Sequence, residues 1–568
     1  MGLARKAGAV ATLCTTPALL VGVVLCGQTC PAATLAGARA QGRGGAAQQS
    51  ISVGLDKAHL RPLQPYFLGV NSGHLRDAFN WDDPAFQHAL GNLNYIETLR
   101  FPAGTLADYW DWKSGRIVYP QSGGRPGHPE PEKPGAMTSP YPAPLSELAT
   151  EISITHSSPL FVLNMLTDPV CGASCQLTPS SPSLKYQMEM LSVANAMGMH
   201  LDLLELGNEY YLPPKNYSDV YPNSDSKSEP LASVRYARLA TQWIKTIKQK
   251  YPDAKISVLG AVTSIVGETW PGFQTERAKK WNAGLFDPSY NSASVGGDGK
   301  PAVQGADAVT LHVYPRFDLP PGATLDSSTA EDLLGVAFKQ WDDIRRDELP
   351  QIPLNMPVWF TEFNLHRTSR AMGTWAHGLF VATESLLFME DRRVQMETHH
   401  ELVGDSGYGD LFYTKQAFAH TDDGASGVNA ELATTQWGES AMADTLNLIG
   451  RAAVGADHAE LLAFKNAPLL SDAKDNFGFP ALYGWSFLHG TSSRLVVLNL
   501  SNRRLLVDLS KMDSHLAYDQ ISGDPGTYVT GGLQGSPSNL KEERGRVASA
   551  SNFALPPFSI TLIDTGAK

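Results

Sequence analysis

The stretch that decides the fold is residues 203–211, which read LLELGNEYY. Its first half is largely apolar and predicts a buried strand, and the Gly-Asn pair that follows predicts a turn. Glu209 comes directly after this pair, so its carboxylate lies just beyond a strand end. A second stretch, residues 358–364 (VWFTEFN), places Glu362 in a similar way at the end of another predicted strand.

Strand and helix patterns alternate on both sides of these two stretches. Short β-like runs are separated by segments of helical period, which is typical of βα units in a parallel sheet. The eight predicted strands are residues 66–71, 95–101, 159–165, 201–208, 255–261, 308–314, 357–363 and 394–399. The sequence therefore predicts an α/β fold, a (β/α)8 TIM barrel, whose strand-end loops share one rim. Glu209 and Glu362 are expected on that rim.

The flanking segments have different patterns. The barrel is assigned to residues 61–456, and residues 457–568 change to a period of two between Gly, Ser, Asn and Pro turns. This period predicts an antiparallel β-sandwich domain. Residues 51–60 are expected to add a strand to that sandwich, because chain ends often lie close together. Residues 113–144 are rich in Gly and Pro and predict an irregular insertion beside the cleft.

The N-terminus has the pattern of a secretory signal. Two basic residues precede an apolar run at 18–26, and small residues lead to a cleavage site near Ala40. Residues 1–40 are therefore predicted to be a signal peptide, and residues 41–50 a flexible Gly, Ala and Gln rich leader. The apolar run is shorter than the roughly 20 residues that span a bilayer. We expect a secreted protein with no membrane attachment after signal cleavage.

Composition narrows the class of partner. The 568 residues are 42% hydrophobic and 18% charged, as in ordinary globular proteins. The net charge of −12 gives no electrostatic basis for binding nucleic acid. After signal removal only Cys171 and Cys175 would remain, and either one disulfide or two free thiols fits this pair.

Paired carboxyl groups on one rim are the groups that glycosidic bond cleavage requires. One protonates the leaving oxygen, while the other attacks the anomeric carbon or activates water. Glu209 and Glu362 are therefore the candidate catalytic residues. The adjacent His399 and His400 point to opposite faces of a strand, and no H-x-H or H-E-x-x-H pattern accompanies them. We predict no metal and no other cofactor.

A third group of residues carries a family resemblance. Residues 99–105 (LRFPAGT) and 108–112 (DYWDW), taken with the two glutamate stretches, resemble clan A glycoside hydrolases. The resemblance is strongest to the heparanase-like (family 79) group and extends to the family 51 arabinofuranosidases. It covers roughly residues 51–568, because residues 555–559 (LPPFS) are similar to the last strand of the β-sandwich in those proteins.

The resemblance assigns roles to the two glutamates. It implies that Glu209 is the acid/base and Glu362 the nucleophile of a retaining, double-displacement mechanism, whereas either residue alone could be a salt-bridged loop residue. Asn208 is expected to hydrogen-bond the sugar 2-hydroxyl, or otherwise to cap the turn. Arg100, at the end of the second strand, is expected to hold Glu362 ionised through a charge-assisted hydrogen bond.

Six further residues complete the predicted substrate-binding set: Thr105, Asp108, Trp110, His312, Tyr314 and His400. His312 and Tyr314 share one face of the sixth strand because strand residues alternate, although a core histidine fits His312 equally well. Trp110 is expected to stack on a sugar ring or to be a buried aromatic plug. Thr105 and Asp108 are included because they are similar to residues that line the subsite of the cleaved bond in the resembling family.

The substrate remains a choice between classes. Heparanase-like members commonly carry an Asn-Tyr pair where this chain has His399-His400, and that tyrosine helps to bind a uronate. The predicted substrate is therefore either a β-glucuronide or an α-L-arabinofuranoside. The alternative function is that of a catalytically inactive carbohydrate-binding relative. The presence of both glutamates with Asn208 and Arg100 favours the enzyme.

Overall fold

The computed structural model describes most of the chain from residue 50 onward. The described residues are 50–72, 81–102, 104–117, 143–165, 181–212, 230–267, 271–319, 323–366, 371–403, 409–413, 437–473, 475–512, 516–529 and 540–566. The predicted signal peptide, nearly all of the leader, most of the insertion, Cys171 and Cys175 lie outside these residues. Within them, no helix is both long and apolar enough to cross a membrane.

Within the described residues, eight parallel strands form a closed barrel, which confirms the predicted fold class. Each strand pairs with its neighbours in chain order, and the eighth pairs with the first. The barrel strands are Leu68–Asn71, Thr98–Phe101, Ser158–Leu163, Leu203–Leu206, Lys255–Leu259, Ala308–Val313, Val358–Phe363 and Val394–His399. The fourth strand ends earlier than predicted because Gly207 has a φ of 84°, which turns the chain out of the sheet.

Helices surround the barrel. They are Pro84–Gly91, Leu145–Thr155, Ser181–Ala196, Ala232–Lys250, Glu276–Lys279, Trp281–Phe286, Ser327–Asp343, Trp375–Phe388 and Ala441–Ala453. Helix Ala232–Lys250 is amphipathic and buries Trp243 and Ile247 against the barrel, while its last turn carries lysines that face solvent. Every residue of helix Trp375–Phe388 is buried. This helix is buried on all sides because it packs between the barrel and the second domain.

A layer of apolar side chains closes the lower end of the barrel. Leu160, Leu203, Trp359 and Met396 are buried there together. Because alternate residues of a strand share a face, Glu205 also points into the barrel, above Leu203 and nearer the carboxyl end. The polar groups inside the barrel are thus held at the rim that carries Glu209 and Glu362.

The second domain is a curled, mainly antiparallel sheet, which has nine strands among the described residues. They are Ile51–Pro62, His458–Lys465, Leu482–His489, Ser492–Asn499, Leu505–Asp508, Ala517–Ser522, Lys541–Arg546, Phe553–Leu555 and Ser559–Asp564. Strand Ile51–Pro62 pairs antiparallel with His458–Lys465 and parallel with Leu505–Asp508. A separate apolar cluster that includes Val53, Leu495 and Ile563 fills the curl.

Three short hairpins complete the described strands. They are Trp110–Asp111 with Arg116–Ile117, Leu411–Tyr413 with Trp437–Glu439, and Leu469–Ser471 with Gly478–Pro480. The first of them starts the predicted insertion after the second barrel strand. It lies beside the carboxyl rim, where strand-end loops border the cleft.

The contact between barrel and sheet domain generates the first prediction. Trp375 is fully buried, and its Nε1 donates a hydrogen bond of 2.7 Å to the Phe558 carbonyl in the sheet domain. Trp375→Ala should lower the free energy of unfolding by about 3–5 kcal/mol, the usual cost of a large cavity. Chemical denaturation measures this change. Leu354→Ala, at a position that is 86% exposed, is the control and should change it little; equal losses in both variants would contradict the packing described here.

Candidate active site

Arg100 is the centre of a buried polar network at the carboxyl rim. Its Nε and Nη2 donate hydrogen bonds of 2.9 and 2.8 Å to the two carboxylate oxygens of Glu205. Its Nη1 donates to Asn71 Oδ1 and to Glu362 Oε1, each at 2.6 Å. Nη2 also donates to Asn208 Oδ1 at 2.9 Å. One guanidinium therefore fixes the positions of two carboxylates and two amides.

The charges of this network stabilise one another. Burial alone would lower the pKa of Arg100, but the Glu205 and Glu362 carboxylates raise it above its usual value. Burial would raise the pKa of Glu205, but Arg100 and a hydrogen bond from His312 lower it overall. Burial opposes ionisation of Glu362 as well, yet the positive charges of His312 and Arg100 hold its pKa well below the usual range. Glu362 is therefore ionised at neutral pH.

His312 lies among carboxylates and is near Glu362 Oε2, whereas Arg100 bonds the other oxygen, Oε1. Its Nδ1 is 3.1 Å from Glu209 Oε1 and 3.7 Å from Glu362 Oε2. Its Nε2 is 3.1 Å from Thr361 Oγ1 and 3.7 Å from Glu205 Oε1. Burial would lower the pKa of His312, but the surrounding carboxylates raise it to about 9. At neutral pH the ring is protonated, so both nitrogens donate.

Glu209 has an unusual backbone conformation. Its φ of 51° lies in the left-handed region, which costs roughly 1–2 kcal/mol for a residue with a side chain. A Cβ on the preceding Gly207 would lie 2.3 Å from the Tyr210 ring, so this turn requires glycine. Tyr211 OH donates to Glu209 Oε1 at 3.2 Å. The strained turn thus points the Glu209 carboxylate at the cleft, and strain of this kind is typical of functional sites.

The two candidate catalytic carboxylates are close neighbours. A carboxylate oxygen of Glu209 and one of Glu362 lie within 4.8 Å of each other and of a His312 nitrogen. The side chains are 15% and 6% exposed, so Glu209 is the more accessible acid. This spacing is also compatible with a bound cation. Binding one would require His312 to lose its proton, because only a deprotonated ring nitrogen coordinates a metal ion.

Two more of the predicted residues contact Glu362 or lie next to it. Tyr314 OH donates a hydrogen bond to Glu362 Oε2. His400 Nδ1 is 4.0 Å from the same oxygen, and the His400 ring meets the Tyr314 ring edge-on at a centroid distance of 5.8 Å. Thr105 is connected less directly, since its Oγ1 accepts a 3.4 Å hydrogen bond from Asn208 Nδ2. These side chains line one continuous site.

Asp108 and Trp110 are not on the wall of this site. Asp108 is fully buried and accepts a 2.6 Å hydrogen bond from Tyr210 OH. Trp110 is 3% exposed, donates from Nε1 to the Ala143 carbonyl, and packs edge-on against Phe101. The packing of Trp110 matches the expected alternative of a buried aromatic plug, and a role of Asp108 in substrate binding stays a prediction. The cause is local: the chain after the second strand forms a short 3-10 helix over Thr105–Tyr109, after which Trp110 packs into the core.

Several residues of the site were not predicted. Asn71 and Tyr211 contact the network, and a Cβ on Gly104 would lie 2.8 Å from Glu362 Oε1. Gly104 therefore allows the loop after the second strand to approach Glu362. The glycine in the FPAGT stretch could have indicated that the backbone approaches another group closely at this point. The residues around Asn71 give no such signal, because its partner Arg100 lies on another strand.

Comparisons with known proteins bear on this geometry. No protein-family model and no curated protein sequence matches the chain. Among solved structures, it is similar to an α-L-arabinofuranosidase from Thermotoga maritima, with 13% identity, a TM-score of 0.57 and coverage of 91% of this chain and 99% of that one. It is also similar to AbfB, a family 51 α-L-arabinofuranosidase from Bifidobacterium longum, with 12% identity and a TM-score of 0.61. That similarity covers 91% of this chain and 99% of AbfB.

A third solved structure is more distant. It is a 4-O-α-L-rhamnosyl-β-D-glucuronidase from Fusarium oxysporum, with 14% identity, a TM-score of 0.51 and coverage of 91% of this chain and 100% of that one. At such identities the similarity shows the shared fold. The chain thus shares the barrel-and-sheet fold of these solved structures.

The charge of His312 generates the second prediction. Because its pKa is raised from 6.5 to about 9 in the folded protein, the stability that the protonated ring contributes is fully present below pH 6.5 and is lost as pH rises through 9. Nitrogen NMR of the histidine rings, assigned with His312→Gln, should show His312 titrating near pH 9. A His312 ring that lost its proton below pH 7 would contradict the bridged arrangement.

Proposed function

We propose that this protein is a secreted, retaining glycoside hydrolase that cleaves O-glycosidic bonds of oligo- or polysaccharides by double displacement. The observation that carries the proposal is an ionised Glu362 with a Glu209 carboxylate oxygen within 4.8 Å. Carboxyl groups about 5–5.5 Å apart are typical of retaining enzymes, and about 6.5–9.5 Å of inverting ones. The short spacing leaves no room for a water between the second acid and the anomeric carbon.

In the first step Glu362 attacks the anomeric carbon. The bond to the leaving oxygen breaks, and the sugar becomes esterified to the enzyme. Arg100 and Tyr314 each bond one carboxylate oxygen of Glu362, so the nucleophile is held in one orientation. Its lowered pKa keeps it charged, and the interactions that lower this pKa also make it a good leaving group in the second step.

Glu209 supplies and then removes a proton. As an acid it protonates the leaving oxygen, and as a base it accepts a proton from the water that hydrolyses the ester. Esterification removes the charge of Glu362, which is the strongest of the charges that raise the pKa of His312. His312 is then left with Glu209 as its closer cleft-facing partner, at 3.1 Å, and stabilises the carboxylate form that the second step needs.

An inactive carbohydrate-binding protein is the alternative. Such a protein needs donors and aromatic faces but no ionised, buried carboxylate beside a second acid. Burying the charges of the network around Arg100 costs desolvation free energy. A binding protein gains nothing from this cost, whereas an enzyme uses the network to keep its nucleophile charged. The geometry therefore favours the enzyme.

The proposed substrate is a β-glucuronide or an α-L-arabinofuranoside. Two of the similar structures are named as arabinofuranosidases and one as a rhamnosyl-glucuronidase. The sequence resemblance to heparanase-like proteins supports the uronide, while His400 in place of a tyrosine beside Glu362 supports a different contact to the sugar. Secretion rests on the signal pattern of residues 1–40.

The third prediction separates the two glutamates by role. Glu209→Gln should reduce hydrolysis of natural glycosides at least a hundredfold but spare glycosyl-enzyme formation from an activated aryl donor, which needs little protonation. Glu362→Gln should lose both activities. In Glu209→Ala, added azide should give a glycosyl azide of unchanged anomeric configuration, and in Glu362→Ala one of opposite configuration. Product NMR distinguishes them, and exchanged configurations would reverse the assignment.

Glu384→Gln is the matched control for these variants. Glu384 is a buried glutamate whose pKa burial raises well above the usual value, so the amide closely resembles its neutral form. It lies on helix Trp375–Phe388 and should leave turnover unchanged. A loss as large as that of Glu362→Gln would mean that any buried glutamate substitution disables the fold.

The fourth prediction concerns substrate and stereochemistry. Among aryl β-glucuronide, α-L-arabinofuranoside, β-xyloside and β-glucoside, one of the first two should be hydrolysed fastest. Proton NMR of the first-formed sugar should show the anomer of the substrate. An inverted anomer would exclude double displacement, and turnover of all four no higher than in Glu362→Gln would favour the binding protein.

A further inference from the structure

A cavity of about 550 Å³ lies between the last barrel helix, Ala441–Ala453, and the sheet domain. Its lining includes Arg451 and Val454 at the carboxyl end of that helix, and Asn94 just before the second barrel strand. In a (β/α)8 barrel the helices run antiparallel to the strands, so these positions lie at the amino rim. The cavity is therefore at the opposite end of the barrel from Glu209 and Glu362.

Arginine side chains from three elements meet at this cavity in the described part of the chain. Arg451 comes from the last barrel helix, Arg494 from strand Ser492–Asn499, and Arg544 from the edge strand Lys541–Arg546. They face only two carboxylates of the lining, those of Asp519 and Asp564. The lining groups thus have a positive excess of 3 − 2 = 1, while Glu542, outside the lining, is 3.9 Å from Arg544 Nη2.

The two carboxylates hold the arginines in place. Asp519, whose side chain is 7% exposed, accepts a hydrogen bond of 2.5 Å from Arg451 Nη1 and one of 3.1 Å from Arg544 Nε. Arg494 Nη1 donates to the Arg451 carbonyl at 2.6 Å, and its Nε is 3.6 Å from Asp564. The guanidinium groups are therefore preorganised, which lowers the entropy cost of binding a ligand.

Each guanidinium retains unused donors. A guanidinium has five N–H groups, whereas the contacts above use only one or two nitrogens of each arginine. Among the described residues, Arg451 Nε and Nη2, Arg494 Nη2 and Arg544 Nη1 have no protein partner. The last helical carbonyls do not require them, because Arg494 Nη1 and His489 Nε2 already lie within hydrogen-bond distance of those at Arg451 and Ala452.

We propose that this cavity binds a sugar unit that carries an anionic group, a carboxylate or a sulfate. The free guanidinium donors match the oxyanion, and Asp564, which is 37% exposed, offers acceptors to hydroxyl groups. The volume is within the roughly 300–1,000 Å³ of small-molecule sites. The site does not depend on the proposed catalytic function, because binding at the amino rim requires neither glutamate.

Arg544 separates this proposal from a purely structural role of the cluster. Its side chain is 70% exposed and belongs to the outermost strand of the sheet, so it contributes little to attaching the barrel. Arg544→Ala should leave the melting temperature of the free protein unchanged. Arg546→Ala is the matched control, since it removes the same charge two residues along the same strand at an exposed position outside the cavity.

The test is calorimetric titration of the full protein at low salt with sodium glucuronate, sodium sulfate and glucose. Glucuronate should bind, Arg544→Ala should weaken this binding at least tenfold, and Arg546→Ala should leave it unchanged. Sulfate should bind more weakly than glucuronate, and glucose should not bind detectably. The same result in Glu362→Gln would show that the site is independent of the active centre.

Three outcomes would overturn the proposal. Glucuronate binding that is equal in Arg544→Ala and Arg546→Ala would place the ligand elsewhere. If sulfate bound as tightly as glucuronate, the cavity would bind anions without recognising the sugar. A lower melting temperature in Arg544→Ala, with no anion bound by the unmodified protein, would make the cluster a structural link between helix and sheet.

Discussion

The bidentate pair between Arg100 and Glu205 is the interaction on which the site depends. Both side chains are fully buried, and burying either charge there without a partner would be costly. Glu205 balances the charge of Arg100, and Arg100 Nη1 still donates a hydrogen bond to Glu362. The pair thus places a fixed, charged hydrogen-bond donor next to the nucleophile. Electrostatic groups held in this way need no reorganisation when charge develops during reaction.

The barrel makes this support possible. An apolar layer around Trp359 and Met396 closes its lower end, so water is excluded from beneath Arg100 and Glu205. Low polarity strengthens each charge pair and penalises each unpaired charge. This explains why the carboxylates and cations around Glu362 form one connected set, in which His312 is protonated while His377, buried near His399, has its pKa lowered to about 3.

The sheet domain contributes to both ends of the barrel. It covers helix Trp375–Phe388, whose His377 Nε2 lies 2.7 Å from Asn364 Oδ1. The Asn364 amide in turn donates a hydrogen bond to the His400 carbonyl at the catalytic rim. At the amino rim it encloses the arginine-lined cavity with the last barrel helix. The chain is acidic overall, but cationic side chains are concentrated at two places, inside the barrel around Arg100 and in this cavity. Their positive potential is therefore local to these two places.

The sequence by itself determined the number, order and type of the barrel strands, the change to an antiparallel sheet near residue 457, and the positions of Glu209 and Glu362 at strand ends. These features are local, because hydrophobic period and turn residues act within a few positions. Only the tertiary structure decided which side chains meet. Asn71, Arg100 and Glu205 come from three different strands, and their register depends on closure of the barrel. Closure and packing also buried Asp108 and Trp110, protonated His312 among carboxylates, and brought arginines distant in sequence to one cavity.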